Sequence, residues 1–203
     1  MKKGILFIIS GPAGSGKGTV VASLLMKHPE LKLSVSATTR SPRPGEIDGK
    51  SYFFISKDEF ESRIAREEML EYTLFTSNNN YYGTPKREVE EALLAGTDII
   101  LEIEVDGAMQ VKSKMPDAVA IMLTPPNGEI LRNRLTGRGT EDECEIEKRL
   151  ARAKEEVLLM PKYDYSVVNE DGMVDDCAEK IYSIIIAEHH KTAYTKSIME
   201  QFK

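Results

Sequence analysis

The sequence predicts an α/β fold, a parallel sheet flanked by helices, and two observations predict it. Apolar runs of strand length alternate with stretches of helical periodicity along most of the 203 residues, the order expected when crossover helices cover a parallel sheet. The first apolar run leads directly into a glycine-rich turn and then a helical pattern, Gly11-Pro12-Ala13-Gly14-Ser15-Gly16-Lys17-Gly18-Thr19.

Strands are expected at Ile5–Ser10, Leu33–Ala37, Asp98–Ile103, Val119–Leu123 and Tyr165–Val168. Helices are expected at Lys17–Lys27, Arg87–Ala95, Gly107–Lys114, Gly128–Thr136, Glu141–Met160 and Val174–His190. Ser56 with Glu59 and Thr140 with Glu143 have capping-box spacing, and Pro85 is read as a first helical residue after Thr84. From Thr38 to Tyr82 the alternation breaks: turn formers (Pro42, Pro44, Gly45, Gly49, Asn78 to Asn80) surround short aromatic strands such as Tyr52–Ile55, the pattern of a small, mostly β insertion. The expected division is therefore a core of 1–37 and 85–203, an insertion of 38–84, and a lid at 134–149 around the polar segment Gly137 to Thr140.

Composition narrows the class of function. With 41% hydrophobic and 30% charged residues the chain can build one core. Its two cysteines, Cys144 and Cys177, lie far apart and outside any metal-ligand spacing, which points away from a disulfide framework or structural zinc and towards a reducing, cytoplasmic setting. No apolar run approaches the roughly 18 residues of a membrane span, and no export signal is evident at the N-terminus. A formal net charge of -6 disfavours non-specific nucleic-acid binding, so an anionic ligand must be held by local clusters of Arg and Lys.

The segment Gly11 to Thr19 is a phosphate-binding loop in its proper context, after a strand and before a helix. Glycines let backbone N–H groups wrap a phosphate, the helix N-terminus adds positive potential, and Lys17 reaches the terminal phosphates. The residue after the lysine, usually a hydroxyl ligand of magnesium, is Gly18, and the hydroxyl is displaced to Thr19. The metal is then held mainly by nucleotide phosphates and water.

Beyond this loop, Ser34-Val35-Ser36-Ala37-Thr38-Thr39-Arg40-Ser41-Pro42-Arg43-Pro44-Gly45-Glu46 closely resembles the signature of the guanylate kinases, a family of P-loop nucleoside monophosphate kinases. The similarity runs along nearly the whole chain, through Asp48-Gly49-Lys50-Ser51-Tyr52-Phe53-Phe54, Tyr81-Tyr82-Gly83-Thr84, Leu101-Glu102-Ile103 with Gly107, Gly137-Arg138-Gly139-Thr140-Glu141 and Val168-Asn169. The resemblance implies that the insertion binds GMP, that the lid carries arginine, and that the γ-phosphoryl group of ATP passes to GMP or dGMP with Mg2+ as cofactor. The acceptor phosphate has a second pKa of about 6 and is an anionic nucleophile at neutral pH, so no general base is required and catalysis rests on alignment and charge neutralisation.

Arg40 and Arg43 suit a fork around the acceptor phosphate, and the resemblance adds Tyr52 and Tyr82 to that set. It gives Glu71 the guanine, with Ser36 and Thr84 as hydroxyl partners of O6. Guanine presents two adjacent donors where adenine does not, and one carboxylate that accepts both discriminates by roughly 1–3 kcal/mol. Glu102 and Glu104, at the C-terminal end of an apolar strand, are read as sharing a face at the ligand-binding edge. Many relatives have Asp where Glu104 stands and Gln where Asp106 stands. Two roles therefore stay open for the pair, water-mediated magnesium binding (assigned to Glu102) and contact with guanine (assigned to Glu104). Family resemblance also places Arg134, Arg138 and Arg149 with Lys17 on the transferring phosphates, and Asn169 beside adenine; a Glu145–Arg149 pair on one helix face is the alternative for Arg149.

Three other functions compete. A related kinase acting on another small phosphate ester, such as a ribose bisphosphate, would not need Glu71, Ser36 and Thr84. A peptide-binding, guanylate-kinase-like module would not need the intact loop Gly11–Thr19, and a regulatory nucleotide-binding protein would not need Arg134 with Arg138. The expected partners are ATP and GMP or dGMP alone, with no nucleic acid or membrane, in a monomer or homo-oligomer.

Overall fold

In the computed structural model, residues 3–75, 78–137 and 143–192 are described. In chain order the elements are β1 (Leu6–Ser10), α1 (Lys17–Lys27), β2 (Lys32–Leu33), β3 (Ala37–Thr38), β4 (Phe53–Phe54), α2 (Lys57–Ala65), β5 (Met69–Phe75), β6 (Asn80–Pro85), α3 (Lys86–Leu94), β7 (Ile99–Glu102), α4 (Val105–Lys114), β8 (Val119–Thr124), α5 (Gly128–Thr136), α6 (Glu143–Val157), β9 (Tyr165–Val168) and α7 (Val174–Glu188). They form two compact units, one built from Lys3–Ser10 and Leu31–Ala120, the other from Gly11–Glu30 and the chain from Ile121 onward.

The first unit holds β2, β7 and β1 side by side and parallel, with Leu6 opposite Ile99 and Lys32 also opposite Ile99. Every residue of β1 is buried, as a parallel strand covered on both faces requires. The same unit carries a second sheet in the order β4-β3-β6-β5, in which β3 and β4 are parallel while β6 runs antiparallel to both β3 and β5. Its core is Ala37, Phe60 and Met69, with Phe53, Ile55, Ile64 and Tyr81 packed around them. The helix α2 starts where Ser56 accepts a hydrogen bond from the Glu59 N–H, as its capping spacing predicts.

In the second unit β8 and β9 pair in parallel, Ile121 opposite Tyr165. Asn127 caps α5 by accepting from the Ile130 N–H at 2.9 Å, and Leu131, Leu135, Ile146, Leu150 and Ala153 join α5 to α6. The parallel α/β class read from the sequence is borne out. Among the described residues no helix is long and apolar enough to cross a membrane.

Several boundaries differ from expectation. The predicted strand Leu33–Ala37 is two strands in two sheets: Ser34 N–H bonds Ile100 O, whereas Ser36 O accepts from Phe53 N–H, so the chain changes sheets within an unbroken apolar–polar alternation. The helix expected from Glu141 to Met160 is described from Glu143 and ends at Val157, followed by a single 3-10 turn over Met160–Lys162; Pro161 has no N–H to donate to Val157 O, four residues back, and cannot continue the α-helical ladder. Residues 140–142, with the proposed Thr140 cap, lie outside the described residues. Pro85 precedes α3 rather than opening it, with ψ 133°, because it is still paired to Met69 as the last residue of β6. Helix α4 begins at Val105, so Glu102 ends a strand while Glu104 is the residue before a helix. The two carboxylates therefore do not share a strand face.

Candidate active site

The glycine-rich loop lies in the second unit. Gly11 passes so near β8 that a Cβ there would sit 2.0 Å from the Leu123 carbonyl oxygen, and Gly16 enters α1 at φ 90°, a left-handed conformation that glycine adopts without strain. Lys17 is nearly buried and turns its ammonium back onto the loop, donating to Gly11 O at 2.6 Å and Pro12 O at 3.5 Å. These are exchangeable carbonyl contacts that hold a cation in the bowl of the loop.

Two side chains from other elements brace the loop. Asn169, just after β9, donates its amide to Ser15 O at 2.8 Å. Arg134, in the last turn of α5, donates to Ser15 O at 3.4 Å, to Asn169 O at 2.7 Å and to Asp171 at 2.9 Å. Beside them lies a depression of about 250 Å³ lined by Gly14, Gly16, Thr19, Arg134, Asn169 and Glu170 to Gly172 with Val174. The buried Ser15 Oγ and Asn169 Oδ1 have no hydrogen-bond partner among the described residues, and such orphaned acceptors at a loop are what a bound polar group satisfies.

The first unit holds the carboxylate. Glu71 is 5% exposed and accepts from the Thr84 hydroxyl at 2.7 Å. A β-bulge between Met69 and Glu71 makes this contact: Met69 faces Pro85, Leu70 is the extra residue, and Glu71 falls opposite Thr84. The bulge re-aims the side chain and explains three successive buried residues on a strand. Gly107 of α4 lies against the same carboxylate; a Cβ there would meet Glu71 Oε2 at 2.9 Å. Burial raises the pKa of Glu71, and the Thr84 hydroxyl and N–H, with the Lys114 charge, pull against that rise.

In the same unit Arg40 makes a two-pronged pair with Glu46, Nη1 to Oε2 at 2.7 Å and Nη2 to Oε1 at 2.6 Å, and its guanidinium lies 5.1 Å from the Tyr52 ring centroid. Tyr52 and Tyr82 meet edge to face at 6.0 Å. The Arg40 guanidinium and the Arg43 N–H hold the Glu46 carboxyl down at about 2, while burial pushes the Tyr52 phenol up. The unit thus gathers Arg40, Tyr52 and Tyr82 as predicted. Arg43 is on the surface and contributes its backbone N–H to Glu46 at 2.7 Å. Ser36 stands at the entry to β3, Thr19 and Gly18 are exposed, and Arg149 lies on α6. Arg138 lies outside the described residues.

Sequence reasoning missed Glu46 as the partner of Arg40, Asp171 as that of Arg134, and the α4 residues Gln110 and Lys114 along β5. Glu46 and Asp171 had a usable signal, a carboxylate within a few residues of a proposed ligand. Nothing local marks Gln110, whose partner is 38 positions away.

A strand feeding a glycine-rich loop and a lysine-bearing helix, within a parallel α/β fold, defines a P-loop nucleotide-binding protein. The family model described as guanylate kinase matches residues 3–188, and the chain belongs to the guanylate kinase family. It is 50% identical over 204 residues to a guanylate kinase of Clostridioides difficile (strain 630), covering 100% of this chain and 98% of that one. Identity to a guanylate kinase of Lactococcus lactis is also 50%, over 94% of this chain and 91% of the other. The crystal structure of guanylate kinase from Anaplasma phagocytophilum superposes with a TM-score of 0.73 at 32% identity, covering 94% of this chain and 89% of that one.

Proposed function

We propose that the chain transfers the γ-phosphoryl group of ATP to GMP, and to dGMP, giving ADP and GDP or dGDP. The observation that carries this reading is the buried Glu71 carboxylate, re-aimed by a bulge and bonded by Thr84, in a chain of the guanylate kinase family. A carboxylate kept off water gains most from two parallel donors such as guanine N1–H and N2–H, and loses most when a base without them leaves it unpaired. Ser36 serves guanine O6, Thr84 spends its one hydroxyl hydrogen on Glu71 and so orients the carboxylate rather than meeting O6, and Glu104 adds a contact to the base.

Arg40, Arg43, Tyr52 and Tyr82 hold the acceptor phosphate. Glu46 occupies Nη1 and one edge of Nη2 of Arg40, which fixes the fork while Nε and the remaining Nη2 hydrogen serve the phosphate. The loop Gly11–Thr19 holds the ATP phosphates through its N–H groups, and Lys17 exchanges its carbonyl contacts for phosphate oxygens. Asn169 lies beside the adenine, and Arg134, Arg138 and Arg149 neutralise charge on the transferring group. The acceptor oxygen is already anionic, so the chain moves no proton from it and acts by orientation, charge neutralisation and exclusion of water on closure.

For Mg2+ the donor set fits an ion held mainly by phosphates and water: Gly18 offers no hydroxyl, Thr19 is exposed, and among the described residues no three His, Cys, Asp or Glu gather. Glu102 would hold it through water. When bound, the ion supplies charge neutralisation to the phosphate oxygens. The setting proposed is cytoplasmic, on small-molecule substrates, without nucleic acid or membrane.

The test is steady-state ADP production from Mg-ATP with GMP, dGMP, AMP, CMP, UMP and ribose 1,5-bisphosphate offered in parallel. Turnover confined to GMP and dGMP is expected. Turnover with the bisphosphate, or with none of them by folded protein, overturns the proposal.

A further inference from the structure

Glu71 sits on β5, the edge strand of its sheet, and an edge strand leaves a row of N–H and C=O groups without a strand partner. Here side chains of α4 take that row. The Gln110 amide accepts from Tyr72 N–H at 3.2 Å and donates to Tyr72 O at 3.0 Å, repeating with one side chain the pair of bonds that a neighbouring strand would make. One turn on, Lys114 donates to Met69 O at 3.0 Å. One turn back, Gly107 lies against the Glu71 carboxylate. Positions 107, 110 and 114 fall on one helix face by the three- and four-residue rule.

The two anchored residues, Met69 and Tyr72, bracket the bulge that aims Glu71 at Thr84. A bulge breaks ladder bonds and leaves its strand free to relax into the regular register. That register would put Leu70 opposite Thr84 and turn the carboxylate away. We infer that Gln110 and Lys114 are positioning residues for guanine recognition: they clamp β5 to α4 on both sides of the bulge and so hold Glu71 where it meets the base. The inference rests on the assignment of Glu71 to guanine made above.

Initial rates with GMP and ATP varied separately test it, on the full chain, for wild type, Gln110→Ala, Lys114→Met, Lys114→Arg, Glu71→Gln and the double variant Gln110→Ala with Glu71→Gln. Gln110→Ala is expected to raise the GMP KM about fivefold to tenfold, the effect of losing a charge-orienting hydrogen-bonded pair, with kcat and the ATP KM within about twofold. Lys114→Met follows the same direction, and Lys114→Arg restores most of the loss. Because the effect passes through Glu71, Gln110→Ala adds nothing in the Glu71→Gln background. Wild type without GMP turnover overturns this inference together with the proposed activity. Wild type with GMP turnover but an unchanged GMP KM in both Gln110→Ala and Lys114→Met overturns the inference alone, as does full additivity in the double variant. Lys114→Met and Lys114→Arg carry the test if Gln110→Ala melts below assay temperature.

Discussion

Thr84 donates its hydroxyl to Glu71 across 2.7 Å because Leu70 is the extra residue of a bulge, which brings Glu71 opposite Thr84 on the neighbouring strand. Base selectivity in this account is thus a matter of strand register. One residue more or less on β5 would send the carboxylate to the other face of the sheet.

Burial raises the Glu71 pKa above its ordinary 4.5, and the sign of the consequences follows. In the window that opens at 4.5 and extends upward, the folded chain binds more protons than the unfolded chain, so this group's contribution to stability falls as pH rises. With Glu71 reading guanine as proposed, GMP binding needs the ionised form and strengthens over the same window. Glu71→Gln is therefore expected to melt at a higher temperature than wild type at pH 8, with the gap closing as pH falls towards 4.5. The pH profile of kcat/KM for GMP should lose its Glu71 limb in the variant, the phosphate ionisation of GMP being common to both. Thermal melts and initial rates across pH 4.5–8 check this.

The Arg40–Glu46 pair behaves oppositely with pH. With the Glu46 carboxyl held down at about 2 by the Arg40 guanidinium, the pair's contribution is present above the ordinary carboxylate value and is lost only as pH falls through about 2. Glu46→Ala frees the fork and is expected to raise the GMP KM about fivefold while changing kcat less. Initial rates with varied GMP decide it, and an unchanged KM removes Glu46 from the acceptor site.

At Gly11 the neighbour of an added Cβ is backbone, the Leu123 carbonyl at 2.0 Å, which no side-chain rotation relieves. Gly11→Ala should destabilise the fold by about 2–3 kcal/mol. Urea unfolding of the variant beside wild type measures it.

Removing Lys17 or Arg134 should separate transfer from donor binding. Lys17→Ala is expected to lower kcat at least about a hundredfold with the fold intact. Arg134→Ala, which loses bonds to Ser15 O, Asn169 O and Asp171, should raise the ATP KM about tenfold and leave the GMP KM near wild type. Near-normal kinetics in both, with circular dichroism showing native helix content, would remove them from the donor site.

What was legible in the sequence follows from the range of the interactions. The elements that carry the loop, β1, α1, β8, α5 and β9, fell where apolar runs and periodicity put them, within one residue at either end, because burial on both faces of a parallel sheet leaves an unbroken apolar signature. The strands of segment 38–84 were legible as a class, but the hairpin β5–β6 was not, since the bulge at Leu70 and the polar run at Asn78 to Asn80 erase simple alternation. Arg40, Tyr52, Tyr82, Glu71 and Thr84 stood out as candidates by their motifs. Gln110 and Lys114 were not, because they read as an ordinary solvated helix face until β5 is laid beside them.

The measurement that bears most directly on the central claim is the ratio of kcat/KM for GMP to that for AMP, taken side by side for wild type and Glu71→Gln. The buried carboxylate predicts a strong preference for GMP in wild type that falls at least about tenfold in the variant. A ratio unchanged by the substitution would mean that Glu71 does not read the base.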